Sequence, residues 1–324
     1  MADSGTTAPK RILVAAQPSA LPALRRELGD MSGVEAVFVD NEAAIPQHLG
    51  SADALVLPIY FYGTEVAAAV RAAQPRLKWM QLLNAGYDRL NKGNVPEGVT
   101  VSTAGDSLAP AVADHAMSLL LAAVRRLPQT WDSQKNGRWN RATYELSGSL
   151  RGCSAVVLGF GSIGQAIARR LKAFDVSVTA VNRSGRAGPD ADRVVSQEQL
   201  DEVLSGADIL VIASELNDQT RGAIDARRLA LLARGALLVN IARGPIADTQ
   251  AIVAALESGQ LGAAGLDVTD PEPLPEGHPL WTAPNALITS HVAGGGSNNN
   301  VAAFVRGNVE RFLGGQTPIS TVKL

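Results

Sequence analysis

The chain has 324 residues, a formal net charge of −2, 46% hydrophobic residues and a single cysteine. That length exceeds one compact domain and predicts two, each with its own core, while the balanced charge offers no basic face, so neither nucleic acid nor an anionic membrane is an expected partner. The lone Cys153 excludes an internal disulfide; lying just before an apolar run it reads as a packing residue, in a chain expected in the reducing cytoplasm.

Residues 1–10 are small and polar without an apolar centre. The longest strongly apolar run, 54–62, contains Pro58 and is too short to cross a bilayer, so neither a secreted nor a membrane chain is expected. From Arg11 onward short β-branched runs alternate with helix-like ones: 12–15 then 21–28, 34–39 then 43–49, 54–58 then 66–73. That rhythm predicts a parallel sheet. Residues 111–126 have few breakers and a long apolar face, and predict a long buried helix leading from one domain into the other. Residues 129–148 hold Trp131, Trp139 and Tyr144 among polar residues with no strong period. They predict a protruding arm whose exposed aromatics suit either a subunit interface or a plain surface loop. After Leu150 the alternation resumes, with strand centres at Val156, Val178, 209–213, 237–241, 265–268 and 286–290. No internal repeat interrupts it.

Within that second series Gly159-Phe160-Gly161-Ser162-Ile163-Gly164 follows the apolar run 154–158 and opens the helix-like stretch 165–174. This strand-turn-helix setting predicts a dinucleotide site. The first glycine permits the tight turn, the second lets the backbone approach a pyrophosphate, and the third lets helix and strand pack closely. The next strand-like run, 176–181, ends in Asn182-Arg183-Ser184, where an NAD-binding chain carries an Asp or Glu for the ribose 2′-hydroxyl. A guanidinium and a hydroxyl suit a 2′-phosphate instead, so NADP(H) is expected over NAD(H), with NAD still possible. Because the fingerprint lies in mid-chain, a dinucleotide domain at 105–292 is expected as an insertion into a domain built from 1–104 and 293–324. The substrate would bind between them.

Four histidines make the search for a general acid short. His48 reads as a surface residue, His115 as a hydrogen-bonded packing residue inside the long helix, and His278 as part of a turn. His291 differs: it follows the strand-like run 286–290 and precedes a glycine-rich loop, at the sheet edge where open α/β folds bind ligands. Two other runs end at the same edge. One delivers Arg243, a planar cation able to clamp a carboxylate with two parallel hydrogen bonds. The other delivers Glu272, held between prolines, which could orient an imidazole and favour its charged form. Each alone has a plain structural explanation, as a capping cation, a solvated loop charge and a satisfied strand-end residue. Their occurrence together at one edge points to a site, and no metal is expected in it.

At these residues the chain resembles the D-isomer-specific 2-hydroxyacid dehydrogenase family. The matching motifs are Ala111-Val112-Ala113-Asp114-His115 with Arg125-Arg126, the glycine fingerprint, Leu238-Val239-Asn240-Ile241-Ala242-Arg243-Gly244, Gly265-Leu266-Asp267-Val268, Glu272-Pro273-Leu274 and Ser290-His291-Val292-Ala293-Gly294. They stand in the family's order and cover nearly all the chain from Ala52 onward. The resemblance implies an α/β fold of two doubly wound parallel sheets, a Rossmann-type domain inserted into a flavodoxin-like substrate domain. It implies a triad of Arg243, Glu272 and His291, with Asp267 and the backbone near Ile241 and Ala242 holding the nicotinamide and Gly294 a further cofactor-binding residue. The segment 83–88 resembles the family's substrate loop, so the backbone of Asn84, Ala85 and Gly86 is expected on the substrate carboxylate.

The implied activity is reduction of a 2-oxo acid, glyoxylate or hydroxypyruvate first, to the D-2-hydroxy acid. His291 would protonate the alkoxide formed by hydride transfer while Arg243 holds the carboxylate. Family analogy also implies a homodimer. Phosphite oxidation is disfavoured because the lysine those enzymes carry is here Ala85, and formate oxidation because that subgroup's extended N-terminal region is not seen. Two departures from the pattern matter. Ser214-Glu215-Leu216 replaces the common His-x-Pro-Leu, leaving Ser214 as the expected adenosine-side contact and placing Glu215 as a like charge near a 2′-phosphate. The loop 58–63 is unusually aromatic, so Tyr60 is expected to cap a small acid or to receive an alkyl or aryl tail, with core packing the plain alternative. A non-catalytic nucleotide sensor of the same fold is the remaining alternative.

Overall fold

A computed structural model describes residues 8–91 and 93–324, so most of the polar start read at 1–10 lies outside the described residues. In chain order the elements are β1 (Lys10–Ala15), α1 (Leu21–Leu28), β2 (Val34–Val39), α2 (Ile45–Leu49), β3 (Ala54–Leu57), α3 (Thr64–Ala72), β4 (Trp79–Leu82) and β5 (Thr100–Ser102). Next come α4 (Ala109–Val124), α5 (Leu127–Lys135), α6 (Thr143–Leu146), β6 (Ser154–Leu158), α7 (Ser162–Ala173), β7 (Ser177–Asn182) and β8 (Arg193–Ser196). The chain continues through α8 (Leu200–Leu204), β9 (Ile209–Ile212), α9 (Ala226–Leu229), β10 (Ala236–Asn240), α10 (Thr249–Glu257), β11 (Leu261–Leu266) and β12 (Ala286–Ile288). It closes with α11 (Asn298–Leu313) and β13 (Thr321–Val322). Two compact units result, Met1–Leu108 with Gly296–Leu324, and Ala109–Gly295.

The first unit has the sheet order β13-β5-β4-β3-β1-β2. Its five N-terminal strands are parallel in the flavodoxin-like order, and β13 joins the β5 edge antiparallel. All four residues of β3 are buried, as a strand covered on both faces must be. The returning C-terminal segment is tied in by apolar packing, with Val301, Val305 and Val309 of α11 buried and the Phe312 ring 5.2 Å from that of Trp79, and by a polar contact. Asn308 of α11, fully buried, donates to Gln81 Oε1 at 2.7 Å and accepts from the Ile319 amide at 2.8 Å. A buried amide costs stability unless such partners are supplied, so this contact fixes where the segment lies.

The second unit has the order β12-β11-β10-β9-β6-β7-β8, all parallel. From β8 to β11 this is the Rossmann order 3-2-1-4-5-6, with β12 added beyond, and the switch point lies between β6 and β9. Helix α4 approaches the sheet closely: a side chain at Gly265 in β11 would come within 2.7 Å of Leu119 Cβ.

Several expectations need correction. The segment 129–148, read as an arm with no strong period, contains most of α5 and all of α6. Pro128 in the first turn of α5 suits a helix start, but α5 has no buried residue, and a helix that is polar all round gives no apolar period to read. Its aromatics are exposed, with Trp139 at 95%. The arm is held at its base by Arg125, which donates to Gly148 O at 2.9 Å, and by Arg126, which donates to Leu146 O at 3.2 Å. The helix read at 43–49 begins instead as a 3-10 turn capped by Asn41, and the strand read at 286–290 ends at Ile288. Among the described residues no helix is long and apolar enough to cross a membrane.

Candidate active site

The glycine turn connects β6 to α7, and its three glycines are needed for different reasons. Gly159 has φ +97°, and a Cβ there would collide with the backbone of Ser214 at the end of β9. A Cβ at Gly164 would collide with the carbonyl of Gly159. Gly161 has an ordinary extended backbone, and a Cβ there would meet no protein atom within 4 Å. The first and third glycines are therefore dictated by the protein itself, whereas the second leaves room for a ligand. The room adjoins the first turn of α7, where Ser162 is exposed and Ile163 half-buried and where a helix leaves its amides without intrahelical partners, as a pyrophosphate site requires. Ser214 Oγ, buried beside the turn, has no hydrogen-bond partner among the described residues. These features fit a dinucleotide.

Asn182 ends β7 and shapes the following turn, accepting from the Ser184 amide at 3.1 Å and donating to Arg186 O at 2.8 Å. Arg183 and Ser184 are thereby presented outward. The Arg183 guanidinium lies 3.3 Å from the carboxylate of Glu215.

The loops after β10, β11 and β12 carry the expected chemistry. Asn240, fully buried, accepts from the Ala242 amide and donates to Arg243 O, both at 3.1 Å, folding a turn around Ile241 and Ala242. Arg243 is half-buried, and its Nη1 donates to Ala242 O at 2.7 Å. A Cβ at Gly244 would collide with the carbonyl of Thr269, so the loop bearing Arg243 lies directly against the loop that leads to Glu272. His291 Nδ1 donates to Glu272 Oε1 at 2.7 Å. The structure thus brings Glu272 and His291 into contact and puts Arg243 on the adjoining loop.

His291 has φ +55°, a left-handed conformation that a non-glycine residue holds only when its surroundings impose it. What imposes it is Asp267, which sequence reasoning gave to the nicotinamide. This carboxylate is 1% exposed; it accepts from the Thr289 hydroxyl at 2.6 Å and from the amides of Val292 and Ala293 at 2.9 Å each. Its backbone carbonyl accepts from the His291 amide at 2.8 Å. His115 of α4 completes the group, with Nε2 2.9 Å from Thr289 Oγ1 and 3.3 Å from Asp267 Oδ1. Since the threonine proton goes to Asp267, His115 Nε2 is the donor to Thr289. Asp267, Thr289 and His115 therefore act as a frame for the His291 loop. Gly294, half-buried, follows in the same loop. His278, as expected of a turn residue, accepts from the Leu280 amide at 3.1 Å.

In the first unit, Asn84 follows β4, accepts from the Ile59 amide at 2.8 Å and so ties the two loops beyond β3 and β4 together. Ala85 and Gly86 are half-buried in the same loop. The aromatic run 60–62 divides. Phe61 and Tyr62 join the core, and burial pushes the Tyr62 phenol up to about 12 against a smaller opposing effect of Arg71. Tyr60 stays 44% exposed, edge-on to Phe61 at 5.3 Å.

A Rossmann sheet with a ligand-spacing glycine turn at its switch point, and an imidazole–carboxylate pair on the same edge, defines an NAD(P)-dependent oxidoreductase. Residues 117–293 match the family model for the D-isomer specific 2-hydroxyacid dehydrogenase, NAD binding domain. A glyoxylate reductase of Thermococcus kodakarensis is 32% identical over 281 residues, covering 83% of this chain and 83% of its own. Among solved structures, a D-isomer specific 2-hydroxyacid dehydrogenase family protein from Aeromonas salmonicida superposes with TM-score 0.86 at 28% identity, covering 97% of this chain and 99% of its own. A D-isomer specific 2-hydroxyacid dehydrogenase from Xanthobacter autotrophicus, in complex with NADPH, superposes with TM-score 0.81 at 27% identity, covering 98% of each chain. The chain belongs to the D-isomer-specific 2-hydroxyacid dehydrogenase family.

Proposed function

We propose that this protein reduces a small 2-oxo acid, glyoxylate or hydroxypyruvate first, to the D-2-hydroxy acid with NADPH in preference to NADH. The observation that carries this reading is the His291–Glu272 pair at 2.7 Å on the ligand-binding edge of the dinucleotide sheet. When bound, the reduced cofactor supplies the hydride that the keto carbon accepts. Glu272 takes the Nδ1 proton of His291 in a hydrogen bond, which leaves Nε2 to give its proton to the oxygen as negative charge develops there. Arg243 holds the substrate carboxylate through its planar fork and stabilises the developing charge. The backbone of Asn84, Ala85 and Gly86 serves the same carboxylate. Gly161, Ser162 and Ile163 receive the pyrophosphate in the turn that Gly159 and Gly164 shape; Asn182, Arg183 and Ser184 receive the 2′-phosphate, Ser214 the adenosine side, and Ile241 and Ala242 the nicotinamide, with Gly294 a further cofactor contact and Asp267 holding its loop in place.

A size series of 2-oxo acids from glyoxylate to phenylpyruvate, assayed with each cofactor, tests the reading. Turnover falling steeply with size and faster with NADPH is the expected result; no turnover of any member with either cofactor would remove it. The exposure of Tyr60 favours a second reading, in which a larger alkyl or aryl tail rests on that ring. Rates rising with size would support it. The exposed aromatics of the arm, Trp131, Trp139 and Tyr144, support a homodimer, and a free Cys153 suits a cytoplasmic enzyme. Light scattering at twice the chain mass, reduced by Trp139→Ala, is the outcome expected of a dimer.

A further inference from the structure

We propose that Glu215 is a cofactor-selectivity residue that opposes the 2′-phosphate and lets this enzyme use NADH alongside NADPH; the inference rests on the NADPH reading given above. Strand β6 is flanked by β7 on one side and β9 on the other. Arg183 follows the end of β7 and Glu215 the end of β9, so their 3.3 Å ion pair joins the two strand ends on either side of the strand that feeds the glycine turn. The Arg183 guanidinium, read above as the partner of a 2′-phosphate, already holds a carboxylate.

Two consequences follow from charge alone. A 2′-phosphate must compete with Glu215 for Arg183, and once bound it stands near a like charge whose repulsion is only partly screened. NADH carries a hydroxyl at the same ribose position, and a carboxylate accepts a hydrogen bond from a hydroxyl without like-charge repulsion, as the acidic residue after the second strand does in NAD sites. One side chain therefore weakens the phosphorylated cofactor and supports the other. The geometry of the loop permits this without a catalytic role: the Glu215 backbone carbonyl accepts from Thr220 Oγ1 at 2.7 Å, which fixes the main chain while the carboxylate remains half-exposed.

The test is calorimetric titration of NADPH and of NADH into the wild-type protein, Glu215→Gln, Arg183→Ala and the double variant. Removing the charge of Glu215 is expected to tighten NADPH by about fivefold, the effect of two unit charges about 4 Å apart in water, and to leave NADH unchanged or weaker. The gain should shrink as salt is raised. Glu215→Gln is isosteric and half-exposed, and Glu215→Ala repeats the measurement should glutamine make a new bond. An unchanged NADPH-to-NADH ratio in both Glu215 variants, with Arg183→Ala still weakening NADPH selectively, overturns the inference alone. Equal loss of both cofactors in Arg183→Ala overturns the NADPH reading and the inference together.

Discussion

His291 is held by three kinds of contact: Glu272 on its ring, the Asp267 carbonyl on its own amide, and the Asp267 carboxylate on the next two amides. Ring chemistry and loop geometry are thus separable at the level of single residues. His291→Gln is expected to lower the reduction rate by about 10²- to 10⁴-fold, the range for losing a general acid, with NADPH affinity close to wild type. Stopped-flow turnover beside equilibrium titration checks it, and near-normal turnover would remove His291 from its role. Asp267→Asn should behave differently. Oδ1 accepts from Thr289 and Val292 and Oδ2 from Ala293, so an amide must set its NH₂ against one of these donors. A buried donor left unpaired costs about 1–3 kcal/mol, measurable by urea unfolding. The imidazole would lose its fixed position, and a displacement of about 1 Å is enough to lower kcat by up to about a hundredfold. Wild-type stability together with wild-type kcat would show that this frame does not hold the loop.

At the scale of the element, the β6–α7 turn separates what the fold requires from what a ligand requires. Gly161→Ala places a methyl group in open space on an extended backbone, so thermal stability should stay at the wild-type value while NADPH binding weakens by at least about tenfold, as expected when backbone approach to the phosphates is obstructed. Gly164→Ala drives a methyl into the Gly159 carbonyl and should cost about 1–3 kcal/mol of stability, the usual range for overpacking. Thermal melts and titrations on both variants decide the matter, and equal destabilisation would contradict the assignment of roles. This turn was legible in the sequence because Gly159 and Gly164 answer to local backbone constraints, whereas Gly161 answers only to the proposed ligand. So were most strands and helices of the first unit, where α1 and β2 occupy the expected residues 21–28 and 34–39. The polar helix α5 was not legible, since it buries no side and leaves no period. Nor was the Asp267–Thr289–His115 frame, whose members lie 22 and 174 positions apart and are joined only by tertiary folding. Arg243, Glu272 and His291 were legible as strand-end residues, because a parallel sheet delivers successive strand ends to one edge.

Over the whole molecule, each unit carries its own apolar core, one built on β1, β3 and β4 and the other on β6, β9, β10 and β11. Two cores are two sources of cooperativity, so heat unfolding should not follow a single two-state curve. Every residue proposed to hold the cofactor falls in the unit Ala109–Gly295, while Tyr60, Asn84, Ala85 and Gly86 belong to the other. A ligand stabilises what it binds, and at a free concentration of a hundred times Kd the gain is about 2.7 kcal/mol. For a unit of this size that corresponds to a rise in Tm of roughly 5–10 °C. Scanning calorimetry with saturating NADPH should therefore raise one component of the transition by that amount and leave the other near its original temperature. The same scan on Gly161→Ala should show a much smaller rise at the same NADPH concentration, because that variant keeps its core and loses the phosphate seat. If NADPH moved both components equally, the cofactor would be held by residues of both units, and the division of labour argued from the glycine turn would be wrong.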